Sequence, residues 1–115
     1  MKSKQKVLVF GGSGFLGSHV ADVLTKEGYS VTIFDIKKSP YLKENQEMCI
    51  GDITNQNEVA EAIKGNEIVY NFAGLADIDE CHKRPLEAIE LNITANAFML
   101  EAAVTFGVKK YLFAS

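Results

Sequence analysis

The sequence predicts an α/β fold with one doubly wound parallel sheet of five strands and helices on both of its faces. Five short apolar runs are separated, for the most part, by segments with the apolar spacing of helices, and parallel strands need such helical crossovers. The runs VLVF and VTIF also lack polar alternation, which is typical of strands that are covered on both faces. At 115 residues with 47% hydrophobic content, the chain is long enough to bury one core.

The five predicted strands are short, and most are bounded by glycine, proline or polar turn residues. The first two are rich in β-branched and aromatic residues, which favour strands. In chain order the strands are KVLVF at 6–10, SVTIFD at 30–35, EMCI at 47–50, EIVYNF at 67–72 and KKYLFA at 109–114.

Two helices are predicted in the first half of the chain from apolar residues at helical spacing. The first spans 14–27 and ends before Gly28, and its apolar positions are Phe15, Leu16, Val20, Val23 and Leu24. The second is capped by Thr54 or Asn55 and ends at Gly65, and its apolar positions are Val59, Ala60 and Ile63.

A longer third helix is predicted after Arg84-Pro85, and Gly107 ends it. One of its faces is apolar and is formed by Leu86, Ile89, Ile93, Ala97, Leu100 and Val104.

Composition and charge exclude several classes of protein. The net charge of -3 leaves no basic face for nucleic acid or anionic lipid, so we expect neither as a partner. No apolar run reaches the length of a membrane span, and the first residues do not form a secretion signal, so we expect a cytoplasmic protein. Cys49 and Cys81 are far apart and no histidine cluster accompanies them, which indicates reduced thiols and no metal site.

Four glycines lie where the first predicted strand meets the first predicted helix. In the pattern Gly11-x-x-Gly14-x-x-Gly17, the first glycine allows a tight turn and the second lets backbone amides approach a pyrophosphate. The third lets the helix pack closely against the strand. Phosphates are favoured at a helix N-terminus by unpaired N–H groups and by the helix dipole, so the pattern indicates a dinucleotide site.

Asp35 ends the second predicted strand and strengthens that interpretation. It follows Gly17 by close to the roughly 20 residues at which a carboxylate binds a ribose 2′-hydroxyl. The same carboxylate repels a 2′-phosphate, which favours NAD over NADP. Lys37 and Lys38 follow directly and leave open the alternative of an NADPH-dependent reductase.

Several motifs in order resemble the N-terminal part of the extended short-chain dehydrogenase/reductase family. They are GGSGFLGSHV, FDI at 34–36, GDIT at 51–54, NFAGLA at 71–76, RPLEAIELNITANAFMLEAA at 84–103 and VKKYLFAS at 108–115. The most similar branch is the NAD-dependent nucleotide-sugar epimerases and dehydratases, which include UDP-glucose 4-epimerase-like enzymes. The resemblance implies a Rossmann fold, NAD as the cofactor and a nucleotide sugar as the substrate of the parent enzyme.

The resemblance also implies roles for single positions. The amides of Phe15 and Leu16 meet the pyrophosphate, Asp52 and Ile53 meet the adenine, and residues 72–75 pass close to the nicotinamide half. The complete set of implied cofactor-binding residues is Gly11, Gly14, Phe15, Leu16, Gly17, Asp35, Ile36, Asp52, Ile53, Phe72, Ala73, Gly74, Leu75 and Asn92. Structural roles stay open for some of them: Asp52 in a turn, Gly74 at a strand end, and Phe15 and Leu16 in the core.

Two positions depart from the family pattern. The family often has Asn-x-x-Gly-Thr in the third helix, whereas Asn92 is followed here by Ile-Thr-Ala-Asn. Cys81 stands where related enzymes often carry a hydroxyl residue near the substrate. Both departures concern the substrate rather than the cofactor.

No catalytic residue is assigned, because the family's Tyr-x-x-x-Lys motif is absent from these residues. The lysine of that motif lowers the tyrosine pKa. Residues 29, 41, 70 and 111 are the four tyrosines, and they have Ile33, Asn45, Gly74 and Ser115 four positions later. We therefore expect the first portion of a longer enzyme, which binds NAD without turnover. A final strand edge without a neighbour predicts a homo-oligomer.

The alternative function is a non-catalytic dinucleotide-binding or redox-sensing module of the same superfamily. Doubly wound sheets have many functions, so the fold does not separate the two hypotheses. The discriminating observation is a Tyr-x-x-x-Lys motif beyond residue 115 of the parent gene.

Overall fold

A computed structural model of the chain describes residues 4–73 and 82–113. Within these ranges, five strands form one sheet, in which all neighbouring pairs are parallel. The strands are β1 (Lys6–Phe10), β2 (Ser30–Asp35), β3 (Glu47–Ile50), β4 (Ile68–Asn71) and β5 (Lys110–Phe113). The predicted doubly wound parallel sheet is confirmed.

The strand order in the sheet is β3-β2-β1-β4-β5, so β1 lies in the middle of the sheet. Phe10, at the end of β1, is in register with Phe34 of β2 on one side and with Asn71 of β4 on the other. The chain builds the sheet outward from β1 through β2 to β3, and then crosses to the other side of β1 to add β4 and β5. The direction of winding therefore reverses at the boundary between β1 and β4. Ligands of open α/β sheets bind outside the carboxyl ends of the strands at such a reversal.

The described helices are α1 (Phe15–Lys26), α2 (Gln56–Ile63), α3 (Pro85–Ile89) and α4 (Ala95–Thr105), and a π-helical segment (Glu90–Thr94) joins the last two. Asn55 caps α2, since its side chain accepts the Glu58 N–H at 3.1 Å. Of the two predicted cap residues, Asn55 is therefore the one in this position. No described helix has both the length and the apolarity that a membrane crossing requires.

Each face of the sheet has its own core, because successive strand residues point to opposite faces. On the face covered by α1, the buried residues are Val7, Val9, Ala21, Val31, Ile33 and Ile68. On the face covered by α2 and α4, they are Leu8, Phe10, Phe34, Val59, Ile63, Val69, Met99 and Ala102.

The packed face of α1 differs from the expected one. Phe15, Leu16 and Val23 are 74%, 57% and 59% exposed, so the alternative in which Phe15 and Leu16 belong to the core is wrong. The buried residues of α1 are Gly17, Ser18 and Ala21. Small side chains let the helix approach the sheet closely, which leaves no room for bulky residues on that face.

The packed face of the third predicted helix also differs. An apolar stripe of Leu86, Ile89, Ile93, Leu100 and Val104 is exposed. Alanines and one methionine face the core instead, namely Ala88, Ala95, Met99, Ala102 and Ala103. The helix is apolar on both sides, and the side with the smaller residues packs on the sheet.

Candidate functional site

An open cleft of about 520 Å³ lies at the carboxyl ends of the central strands. This volume is typical of pockets that bind small molecules and cofactors. Its lining residues come from the ends of β1, β2, β3 and β4, from the loops that follow them and, for one residue, from α3, and they are Gly11, Gly14, Phe34, Asp35, Ile36, Gly51, Asp52, Ile53, Thr54, Phe72, Ala73 and Glu87.

The cleft brings together most of the residues singled out from the sequence. Those that line it are Gly11, Gly14, Asp35, Ile36, Asp52, Ile53, Phe72 and Ala73. Phe15, Leu16 and Gly17 form the first turn of α1 beside Gly14. Asn92 lies in the π-helical segment, where its side-chain Nδ2 donates to the Ala88 carbonyl at 2.9 Å. Gly74, Leu75 and Cys81 lie outside the described residues.

Gly11 closes the turn between β1 and α1. Its φ of +77° lies in the left-handed region, which only glycine adopts readily. Its N–H donates to the Phe34 carbonyl at 2.8 Å, and its own carbonyl accepts from Gly14 at 3.2 Å. A Cβ at Gly11 would lie 2.7 Å from the carbonyl carbon of Phe72. Glycine is therefore required here by both the backbone angle and the neighbouring chain.

Gly17 and Gly14 differ in what the protein itself requires of them. A Cβ at Gly17 would collide with the carbonyl oxygen of Gly11, so glycine brings α1 against the turn. Gly14 has extended backbone angles, φ −78° and ψ 173°, that any residue adopts. A Cβ at Gly14 would meet the Gly11 oxygen at 3.5 Å, an ordinary contact. Packing within the described chain therefore does not explain a glycine at position 14.

The first turn of α1 presents unpaired donors next to Gly14. Ser18 is the first residue of α1 whose N–H donates back along the chain, to the Gly14 carbonyl at 2.9 Å. The N–H groups of Phe15, Leu16 and Gly17 donate to no described residue, and no side chain caps the helix. Unpaired N–H groups at a helix start carry partial positive charge and attract anions.

The Asp35 carboxylate is held between two loops. Its Oδ2 accepts the backbone N–H of Ser13 at 3.0 Å, and its Oδ1 accepts the N–H of Ile36 at 2.7 Å. The Ser13 hydroxyl in turn donates to the Lys37 carbonyl at 2.7 Å. These bonds join the end of β2 to the glycine-rich turn. Each carboxylate oxygen keeps further acceptor capacity, because an ionised carboxylate has about four lone-pair sites.

Asp52 begins a tight turn after β3. Its Oδ1 accepts both the backbone N–H of Thr54 at 2.9 Å and the Thr54 hydroxyl at 2.7 Å. These two bonds lower the pKa of Asp52 below its ordinary value, because they favour the ionised form. The Asp52 N–H donates to Oε2 of Glu58 at 2.9 Å, which anchors the turn to α2. Asp52 Oδ2 accepts no hydrogen bond from the described chain.

Four lining residues were missed by the sequence analysis as site residues. All four, Phe34, Gly51, Thr54 and Glu87, fall inside quoted motifs, and Glu87 lies in the first turn of α3. Packing requires glycine at position 51, because a Cβ there would lie 2.6 Å from the Phe34 ring. The Glu87 carboxylate pairs with the Arg84 guanidinium at 2.9 Å. The spacing of Asp52 and Thr54 is a turn signal that indicates a fixed carboxylate.

Comparison with known proteins identifies relatives of the chain. Residues 7–115 match the NAD dependent epimerase/dehydratase family. The chain is 34% identical over 118 residues to the UDP-N-acetyl-alpha-D-glucosaminuronate decarboxylase of Bacillus cytotoxicus, which covers 97% of this chain and 36% of that protein. It thus spans about a third of that relative's length.

Solved structures give the same picture. The UDP-glucose 4-epimerase of Thermotoga maritima, solved with UDP-glucose, superposes with a TM-score of 0.91 at 30% identity, over 96% of this chain and 38% of that one. The UDP-glucose 4-epimerase of Thermus thermophilus, solved with NAD, superposes with a TM-score of 0.89 at 28% identity, over 96% and 37%.

Proposed function

Since the chain belongs to the NAD dependent epimerase/dehydratase family, we propose that its 115 residues form the N-terminal part of the NAD-binding domain of a cytoplasmic enzyme that acts on a nucleotide-activated sugar. The observation that carries the proposal is the bare Gly14 beside the unpaired N–H groups of α1, at the edge of a cleft of cofactor size. When bound, NAD would supply the hydride acceptor for oxidation of the sugar by the parent enzyme. The residues of this chain bind and orient it.

The pyrophosphate fits the first turn of α1. The N–H groups of Phe15 and Leu16 supply donors, and the helix dipole favours the negative charge. Gly14 leaves the space that a phosphate oxygen needs, since a side chain there would occupy the cleft. The two exposed side chains of Phe15 and Leu16 take no part in this contact, which uses only their amides.

The adenosine half fits the β2 and β3 side of the cleft. Asp35 has acceptor capacity left for the two ribose hydroxyls, and Ile36 follows it at the exposed rim. Asp52 and Ile53 form the next part of the wall, where Asp52 Oδ2 is available to a donor of the adenine. The Thermus thermophilus relative was solved with NAD, which supports this choice of cofactor.

Charge in the cleft supports NAD over NADP. Asp35 and Asp52 line it, as does Glu87, which is paired with Arg84, whereas no lysine or arginine is among its described lining residues. A 2′-phosphate beside Asp35 would place like charges in contact, which costs about 1 kcal/mol or more in a half-exposed site. The carboxylates therefore oppose the additional phosphate of NADP.

The cofactor proposal predicts that NADH binds at least about tenfold more tightly than NADPH, from the repulsion just described. Asp35→Asn removes the charge and keeps one acceptor oxygen, for either the Ser13 or the Ile36 N–H, and we expect the preference to fall to about threefold or less. Fluorescence titration of both nucleotides measures it. Glu101→Ala, which removes an exposed carboxylate from α4, is the control. Equal affinity of the unaltered chain for both nucleotides would contradict the choice of NAD.

We expect the 115 residues to bind NAD without converting a nucleotide sugar. None of their tyrosines has a lysine four positions later, so the proton acceptor of the reaction is not among them. Chromatography of UDP-glucose after incubation with the chain and NAD tests this, and any conversion above a no-protein control would contradict it. We also propose that the parent enzyme takes a nucleotide sugar as its substrate and forms a homo-oligomer.

A further inference from the structure

Three polar side chains meet beneath the cleft, from β4, α4 and β5. The Asn71 side chain, in a residue that is 3% exposed, donates from Nδ2 to Asn96 Oδ1 and to the Tyr111 hydroxyl oxygen, both at 3.2 Å. The Tyr111 hydroxyl also donates to Asn96 Oδ1. Burial raises the pKa of Tyr111, so the phenol keeps its proton at neutral pH. We name Asn71, Asn96 and Tyr111 the amide–phenol cluster.

The amide–phenol cluster reaches the cleft through the other end of the same carboxamide. Asn71 Oδ1 accepts the backbone N–H of Ala73 at 3.0 Å, and Ala73 lines the cleft. Among the described residues, the last backbone hydrogen bond of this segment to the sheet is Phe72 N–H to the Phe10 carbonyl at 2.9 Å. The Ala73 N–H donates to the Asn71 side chain rather than to a strand, so the Asn71 carboxamide is what holds the Ala73 amide.

The orientation of Asn71 is determined by its neighbours. The Ala73 N–H is only a donor, so it requires the carbonyl oxygen of Asn71 on its side. The Asn71 Nδ2 then faces the acceptors Asn96 Oδ1 and Tyr111. Asparagine therefore satisfies one donor and two acceptors at once, which an apolar residue of similar size does not do.

The wall that Asn71 holds lies opposite the adenosine side. Asp35 stands at the end of β2, whereas Phe72 and Ala73 follow β4, on the other side of β1. A dinucleotide with its pyrophosphate at α1 and its adenosine over β2 must extend its second nucleoside toward β4. The Phe72–Ala73 backbone also lies directly against Gly11. A shift of this backbone therefore changes the cleft wall next to the glycine-rich turn.

We propose that Asn71 is a positioning residue for the second nucleoside of the dinucleotide, and that Asn96 and Tyr111 set its orientation. The proposal rests on the proposed function. Asn71 acts through the Ala73 backbone and does not itself line the cleft. Loss of its carboxamide releases the Ala73 amide and leaves buried polar groups of the cluster without their partner.

The test compares NADH with ADP, which carries the adenosine and both phosphates but lacks the second nucleoside. For Asn71→Leu we expect NADH affinity to fall about tenfold, and ADP affinity to change less than about threefold. Tyr111→Phe removes one hydroxyl of the cluster and is expected to weaken NADH binding by a smaller factor, with ADP unchanged. Tyr70→Phe, on the opposite face of β4, is the matched control and should change neither.

Hydrogen exchange of the Ala73 amide provides a readout independent of ligand. We expect this amide to be protected in the native chain and to exchange at least about tenfold faster in the Asn71→Leu variant. If Asn71→Leu does not fold, the same measurement is made on Tyr111→Phe. Parallel losses of NADH and ADP affinity, or unchanged NADH affinity with fast Ala73 exchange, would overturn the proposal. A native chain that binds neither ligand would refute the proposed function instead, and the positioning role with it.

Discussion

Replacing Gly14 with aspartate is expected to stabilise the chain slightly and to remove most of its affinity for NADH. Gly14 occupies the cap position of α1 without a side-chain hydrogen bond, and its backbone angles suit aspartate. A carboxylate there accepts an N–H of the first turn and complements the helix dipole, which contributes about 0.5 kcal/mol. The same carboxylate occupies the proposed pyrophosphate position and repels its charge. We expect NADH affinity to fall about thirtyfold or more.

Thermal unfolding and NADH titration of the Gly14→Asp variant measure the two effects separately. Asn55→Asp is the matched control, because it places a carboxylate at the cap of α2, away from the proposed pyrophosphate position. That variant should bind NADH like the unaltered chain. If Gly14→Asp kept full affinity for NADH, the phosphates would not lie at the start of α1.

Replacing Gly17 with alanine is expected to have the largest effect on stability. The added methyl group would collide with the Gly11 carbonyl, which is backbone and has no rotamer to change. The helix must move away from the turn, and we expect a loss of about 3 kcal/mol or more. The corresponding fall in melting temperature is more than about 10 °C for a domain of this size.

Gly65→Ala serves as the control for the Gly17 variant. Gly65 has a φ of +86°, but a Cβ there would have no neighbour within 4 Å. Alanine at this position therefore meets only backbone strain, about 1 to 2 kcal/mol. Chemical denaturation of both variants measures their free energies of unfolding, and so compares the cost of the collision at Gly17 with that of the backbone strain at Gly65. Gly17 has no positive φ to strain, so a loss in Gly17→Ala no larger than that in Gly65→Ala would contradict the expected size of the collision.

The central strands β1 and β2 were predictable because they are buried on both faces. Residues such as Val7, Val9 and Val31 form continuous apolar runs whose ends are marked by glycine or polar residues. The packed faces of α1 and α4 were not predictable from side-chain size. Close approach to the sheet favours Gly17, Ala21 and the alanines of α4, whereas a pattern of bulky residues points to the exposed side.

The candidate site was predictable where it depends on local spacing. Gly11, Gly14 and Asp35 were found because a turn and a strand end have fixed offsets along the chain. The bond between Asp35 and Ser13 and the amide–phenol cluster were not, because they join residues that are distant in sequence. Such contacts follow from the sheet order, which brings separate strand ends together.

The central place of β1 has a consequence for how the chain is made. β1 is synthesised first, and its neighbour β2 follows after one helix, but the opposite edge of β1 pairs with β4. Until Asn71 has left the ribosome, that edge of β1, a strand that is apolar after Lys6, has no partner among the described strands. Nascent chains shorter than this expose the free backbone groups of Lys6, Leu8 and Phe10 along that edge, and they are the stage most vulnerable to aggregation.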